Sequence, residues 1–178
     1  DVKQLEFCDV PDPKLSTDEN LIAIRSVGIC GSDMHAYLGH DERRPAPLIL
    51  GHEAAGDVIE GPMKGERVTV NPLVTCQTCK ECRSGRSNLC GKRQIISMQP
   101  REGAFAEMIV MPNRNLVKVP NNISFNDAAL TEPLAVCWHA IRLGLDAVDT
   151  GIKSPNTLVI GGGAIGLGSA LSLMAKGI

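Results

Sequence analysis

The sequence predicts a mainly β region followed by the opening of an α/β unit, and three observations carry that prediction. Up to about residue 120, short runs of alternating or β-branched residues are broken by Pro and Gly, with few segments of helical period. From Ser124 the pattern turns helical, with Pro133 placed at the first turn of a helix running to about Leu145. Last, the apolar run Thr157-Leu158-Val159-Ile160 leads through Gly161-Gly162-Gly163-Ala164-Ile165-Gly166 into a small-residue helix ending near Lys176.

Taken in order, the strands are expected at Val2 to Val10, Asn20 to Ile29, Leu48 to Ile59, Glu66 to Val70, Ala104 to Met111 and Leu116 to Val119. Pro11, Pro13, Pro45 and Pro47 punctuate the first three. A short helix is expected over Ser124 to Leu130. The stretch Gly151 to Asn156, with Pro155, reads as a linker, which puts a domain boundary near 151. The strand at 157–160 and the helix from Ala164 then open the second domain.

The bulk numbers bound the function. At 178 residues the chain has room for one domain and part of another, and a 43% hydrophobic fraction suffices for a packed core. With 18 basic and 20 acidic residues and no block of like charge, nothing asks for nucleic acid or an anionic membrane as partner. The most apolar window, Thr157 to Ala175, contains five glycines and a strand-like start, so a soluble segment is expected there rather than a membrane span. The chain starts at Asp1 without an initiator Met or an export signal, and a preceding residue or segment is expected. Seven cysteines, an odd number and tightly clustered, fit metal-bound thiolates in a reducing cytoplasm better than a disulfide framework.

Four of those cysteines form the sharpest local signal. Cys76-x2-Cys79-x2-Cys82-x7-Cys90 places four thiols within fifteen residues. Four thiolates at about 2.3 Å close a tetrahedral shell around Zn2+, with no room for substrate, so this zinc is structural. Lys80, Arg83, Arg86, Lys92 and Arg93 offset the negative charge of such a lobe (76–93). An iron–sulfur motif shares the first spacings, but there the fourth Cys comes sooner and is followed by Pro, whereas Gly91 follows here. The basic residues lack the interleaved aromatics of a nucleic-acid module.

A second candidate metal centre joins distant points of the chain. Gly28-Ile29-Cys30-Gly31-Ser32-Asp33-Met34-His35 and Gly51-His52-Glu53 supply a thiolate, an imidazole and a carboxylate, the donors that hold a catalytic zinc while leaving one position open. Either residue alone reads first as a buried Cys or a satisfied core His. A metal bound by Cys30 and His52 needs a third protein ligand, and Glu132 or Glu53 must supply it. Glu132 by itself is also a favourable charge near a helix N-terminus. The glycine motif follows an apolar run and opens a helix, which is the context a dinucleotide-binding turn requires. Gly161 would make the tight turn, Gly163 admit the pyrophosphate, and Gly166 allow close helix–strand packing.

These residues, together with Thr131-Glu132-Pro133-Leu134, occur in the same order in the zinc-dependent medium-chain dehydrogenase family, which the whole chain resembles. The polyol (sorbitol-type) branch is most similar, with threonine-type and simple alcohol dehydrogenases as relatives. The resemblance implies a mainly β GroES-like catalytic domain (1–150) followed by the start of an α/β Rossmann domain (151–178). It implies that Cys30, His52 and Glu132 ligate a catalytic zinc, with Glu53 the neighbouring carboxylate that binds it in some states. It makes Ser32 the hydroxyl that takes the alcohol proton and His35 the relay beyond it. Val136 and Ile165 are similar to the apolar residues that pack on the nicotinamide, while His40, His139, Cys8 and Cys137 match nothing functional. The implied cofactors are two Zn2+ per chain and NAD or NADP. The implied reaction is hydride transfer from a secondary alcohol or polyol in a cytoplasmic homo-oligomer, a dimer or tetramer.

Two departures from the family pattern stand out. The turn after Gly51-His52-Glu53, through Gly56 to Lys64, is shorter than usual. The acidic residue that binds the adenosine ribose, about 20 residues past the glycine motif, falls beyond Ile178. The chain is therefore expected to be the front half of a longer enzyme that binds cofactor poorly without the remainder. A reading from another class, a non-catalytic iron–sulfur or zinc-binding module, makes the cysteine lobe the working part and Cys30 and His52 core residues.

Overall fold

The computed structural model describes residues 2–148 and 155–178. Its two compact units are Asp1–Ala129 and Leu130–Ile178. Residues 151–154 of the expected linker, with the boundary near 151, lie outside those described, and the helix Thr131–Ala147 that carries Glu132 groups with the second unit.

The first unit is built on a five-stranded antiparallel sheet. Its strands are β1 (Glu19–Gly28), β2 (Glu53–Glu60), β3 (Arg67–Val70), β6 (Met108–Pro112) and β7 (Leu116–Lys118), in spatial order β6-β1-β2-β3-β7. Alternating apolar residues face one side, so Ile22, Val58, Val68, Val70, Ile109, Met111 and Leu116 form one core with Ala54 and Ala104. Burying these side chains, at roughly 25 cal/mol per Å2 of apolar surface, drives the sheet together. Asn20 is fully buried in β1, and its side-chain Oδ1 accepts from the Met63 N–H (2.8 Å), which ties the short β2–β3 turn to the sheet. That turn closes on itself, with Gly65 N–H donating to the Val58 carbonyl (2.8 Å).

Shorter elements complete this unit. Helix α1 (Gly31–Tyr37) follows β1 directly. The hairpin β4 (Leu73–Val74) and β5 (Gln94–Ile95) brackets the cysteine lobe, which contains helix α2 (Lys80–Arg83). Helix α3 (Phe125–Ala129) packs Ala128 and Ala129 against Ala55. In the second unit, α4 (Thr131–Ala147) lies against α5 (Ala164–Ala175). Buried Cys137 donates to the Ile165 carbonyl (3.4 Å), and Lys176 stacks over the Trp138 ring (4.3 Å).

Several expected elements differ. Val2 to Val10 forms no strand; Leu5 and Phe7 stand exposed, because alternation gives a segment a face but not a hydrogen-bonded neighbour. The same holds for 157–160, where Leu158 and Ile160 are exposed and no strand pairs with them among the described residues. Strand β2 starts at Glu53 rather than Leu48, since Gly51 bends the chain. The residues before Met108 likewise turn instead of extending, and α1 is a helix the alternating pattern did not predict.

Candidate metal centres and dinucleotide turn

Cys30 ends the segment after β1 and is the N-cap of α1, while His52 and Glu53 sit where the chain enters β2. Antiparallel pairing sets Gly28 opposite Glu53, so the two segments leave the sheet side by side. The Glu53 carboxylate occupies the space a side chain on Gly28 would need. At Gly51 the backbone has φ +91, and a Cβ there would meet the Phe105 ring at 2.6 Å, so only glycine allows this approach to His52. One ligand atom each from Cys30, His52 and Glu53 then lie within 4.8 Å of one another, although 22 positions separate the first two in the chain.

Asp33, which the sequence reading left without a role, holds this arrangement. It is 3% exposed. One carboxylate oxygen accepts from the Cys30 N–H (3.0 Å), and the other accepts from the Gly51 N–H (3.2 Å) and lies 3.5 Å from His52 Nδ1. A single side chain thus braces both ligand-bearing segments. Its sequence signal was present, as an acid three residues past a helix N-cap, but it is readable only once α1 is known to be a helix.

The electrostatics favour a cation at this point. Burial works to lower the His52 pKa, but hydrogen bonding to Asp33 and its charge, with Cys30 adding to both, outweigh that and raise it to about 9. Burial likewise works to raise Asp33, and its bonds to His52 and to the Cys30 and Gly51 N–H groups bring it below the usual carboxylate value. His52 Nδ1 is buried without a well-formed hydrogen bond, and thiolate, imidazole and carboxylate are the donor set of an open zinc site. These residues fit the metal. Replacing Asp33 by Asn keeps the size of the side chain but removes its charge. The centre should then release its metal about 10–100-fold more readily, the usual range for the outer partner of a ligating His. Chelator competition on the purified protein measures this, with the cysteine lobe as internal reference.

The lobe forms the second centre. Cys76 follows β4, Cys79 caps α2, Cys82 lies within it, and Cys90 is fully buried where the chain returns to β5. The Cys76 sulfur lies 4.0 Å from that of Cys82 and 3.6 Å from that of Cys90. Zinc–sulfur bonds of about 2.3 Å at tetrahedral angles require sulfurs about 3.8 Å apart, so the spacing fits. The Thr78 hydroxyl and N–H, with the Cys79 N–H, draw the Cys76 thiol down to about 5. At Cys79 a backbone hydrogen bond from Cys82 favours the thiolate, but burial and the neighbouring thiols override it and push its pKa up to about 12. Four thiolates this close cannot coexist without a cation among them. Lys80, Arg83, Arg86, Lys92 and Arg93 are all exposed around them.

The other expected site residues fall as follows. Ser32 is half-buried and His35 exposed, three residues apart on α1. The His35 and His40 rings lie 6.2 Å apart. In the second unit, Glu132 is half-buried in the first turn of α4. Gly161 has φ +108, Gly163 caps α5 with open space beside its Cα, and a Cβ on Gly166 would meet the Gly161 carbonyl oxygen at 2.0 Å. Two of the three glycines are therefore sterically required, which is the geometry a phosphate-binding turn needs. Val136 on α4 and Ile165 on α5 are both about half exposed (48% and 53%).

A GroES-like sheet domain with two candidate metal centres, followed by a glycine-turned helix, defines a zinc-dependent medium-chain dehydrogenase fold with the start of its Rossmann domain. The chain belongs to the alcohol dehydrogenase GroES-like domain family, whose pattern matches residues 16–121. It is 38% identical over 175 residues to the L-galactonate-5-dehydrogenase of Escherichia coli, covering 95% of this chain and 49% of that protein. It is 35% identical over 185 residues to the sorbitol dehydrogenase of Bacillus subtilis, covering 98% and 51%. Among solved structures it resembles a zinc-binding dehydrogenase of Sinorhizobium meliloti bound to NADP, with TM-score 0.84, 32% identity and coverage of 98% and 51%. Galactitol-1-phosphate dehydrogenase of Escherichia coli is similar at TM-score 0.82 and 31% identity, covering 97% and 49%. The chain spans about half the length of the curated relatives it matches. No helix among the described residues is long and apolar enough to cross a membrane.

Proposed function

We propose that the protein is a zinc-dependent oxidoreductase that transfers hydride from a secondary alcohol or polyol to NAD+ or NADP+. The convergence of Cys30, His52 and Glu53 within 4.8 Å, braced by buried Asp33, carries this reading. Relatives named for sugar-acid and polyol oxidation, and a structural relative bound to NADP, support the substrate and cofactor classes.

In this reading Cys30 and His52 hold the catalytic zinc. Glu53 and Glu132 are its two candidate carboxylate ligands, and Glu53 is the one gathered beside Cys30 and His52 in the first unit. When bound, the metal supplies a Lewis acid that makes the substrate hydroxyl more acidic, and the nicotinamide supplies the hydride acceptor. The protein's own part is to place and move a proton. Ser32, two residues past Cys30 in the first turn of α1, accepts the alcohol proton. His35 lies on the same face of α1 at i+3, is exposed, and passes that proton to water. Cys76, Cys79, Cys82 and Cys90 hold a structural zinc that fixes the lobe. Gly161, Gly163 and Gly166 receive the dinucleotide pyrophosphate at the start of α5, with Val136 and Ile165 offering apolar surface to the nicotinamide. The assignment places the protein in the cytoplasm, where thiolates stay reduced, as a homo-oligomer, a dimer or tetramer.

Metal analysis of the whole protein, with a polyol panel assayed against NAD+ and NADP+, tests the proposal. Two zinc ions per chain and nicotinamide reduction by at least one vicinal polyol are expected. A folded protein with only the lobe metal, reducing neither nicotinamide, overturns it.

A further inference from the structure

Arg44 has no part in the roles above, yet it is a buried charged residue. Its Nε donates to the Ser97 carbonyl (2.8 Å). One terminal nitrogen reaches both the Asp41 carboxylate (2.9 Å) and the Ser32 carbonyl (3.4 Å). Ser97 is itself fully buried and has φ +67, a left-handed conformation that a residue with a Cβ adopts only when its surroundings impose it. Its hydroxyl lies 3.4 Å from Asp33 Oδ1, the same oxygen that accepts from Gly51 and faces His52.

We propose that Arg44 is a positioning residue for the Cys30–His52–Glu53 centre. It acts through Ser97 on Asp33 and through the Ser32 carbonyl on α1. The planar guanidinium presents donors in fixed directions, so one side chain sets the spacing of two backbone carbonyls, of which that of Ser97 is buried away from water. One carbonyl belongs to the helix that carries Ser32. The other belongs to the residue whose hydroxyl meets Asp33. Asp41 balances the buried charge. A lysine in this place offers a point charge and cannot hold both carbonyls in register. The adjacent Arg43 provides the contrast, since it also binds Asp41 but its side chain is 72% exposed.

This role presupposes the metal-dependent reading above, so the whole wild-type protein is measured first, with Co2+ in place of zinc. Wild type without cobalt at the Cys30 centre overturns that reading and the Arg44 role with it. With cobalt present, the variants decide the role of Arg44 alone. Arg44→Met should release this cobalt to chelator several-fold more readily and change its visible absorption, while the lobe keeps its metal. Arg43→Met should match wild type. An Arg44→Met protein that holds cobalt as tightly as wild type, with the same spectrum, overturns the proposal. Should Arg44→Met not fold, Ser97→Ala takes its place, because it removes only the hydroxyl facing Asp33. It should weaken cobalt retention several-fold, and a wild-type result overturns the proposal.

Discussion

Replacing Cys30 by Ser in the whole protein should remove the metal of the Cys30–His52–Glu53 centre and lower alcohol oxidation by roughly a thousandfold or more. A Lewis acid at the reacting hydroxyl supplies several kcal/mol of charge stabilisation, and each ~1.4 kcal/mol is a tenfold change in rate. Ser is nearly isosteric with Cys but stays neutral at physiological pH and is a poor zinc donor, so the site loses an anionic ligand without losing shape. The fold should survive. Cys30 is only partly buried, and Asp33 braces this segment through the Cys30 backbone N–H, which the substitution leaves intact. Metal content should therefore fall from two ions to one per chain, with the thermal midpoint within a few degrees of wild type. Wild-type turnover with one metal ion per chain would remove Cys30 from the mechanism. An unchanged content of two ions would show that its sulfur is not a ligand.

The residues that carry this prediction were legible in the sequence, and those that support them were not. Cys30, His52 and the four lobe cysteines belong to residue types whose chemistry is rare, so spacing and flanking glycines single them out. Asp33, Arg44 and Ser97 belong to common types, and their roles depend on which carbonyls and N–H groups the fold brings within reach. No local pattern encodes a contact such as Arg44 to Ser97, 53 residues apart. Sheet segments divide the same way. β1, β3 and β7 were visible because their apolar faces meet a core, whereas the equally patterned Val2 to Val10 and 157–160 have no paired neighbour among the described residues. The glycine motif was the reverse case, because Gly161 and Gly166 are fixed by backbone sterics within six residues and need no tertiary partner to be recognised. Glu132 and Glu53 mark the limit. Both are carboxylates near a start of secondary structure, and the fold alone gathers Glu53 with Cys30 and His52 in the first unit.

Cys90→Ser should act on stability where Cys30→Ser acts on rate. The lobe holds few apolar residues, and beyond Cys90 neither α2 nor the turn at Ser87–Leu89 buries a residue, so burial alone cannot keep 76–93 folded. What holds it is the sulfur cluster and the two-residue hairpin β4–β5 at its base. Structural zinc binding in small domains is worth about 10–16 kcal/mol and is folding free energy outright. Cys90 is fully buried, so a serine hydroxyl there loses the metal bond and is left in a space shaped for sulfur. Even if three thiolates retain most of the metal affinity, a loss of about 4 kcal/mol lowers the midpoint by about 8–16 °C in a domain of 150–250 residues. Protein that remains folded should keep its turnover number in the proposed reaction, since the lobe shares no donor with the Cys30 centre. Differential scanning calorimetry with zinc analysis decides the matter. A Cys90→Ser protein melting within 2 °C of wild type, with both metals retained, would show that the lobe is held by packing rather than by a metal ion.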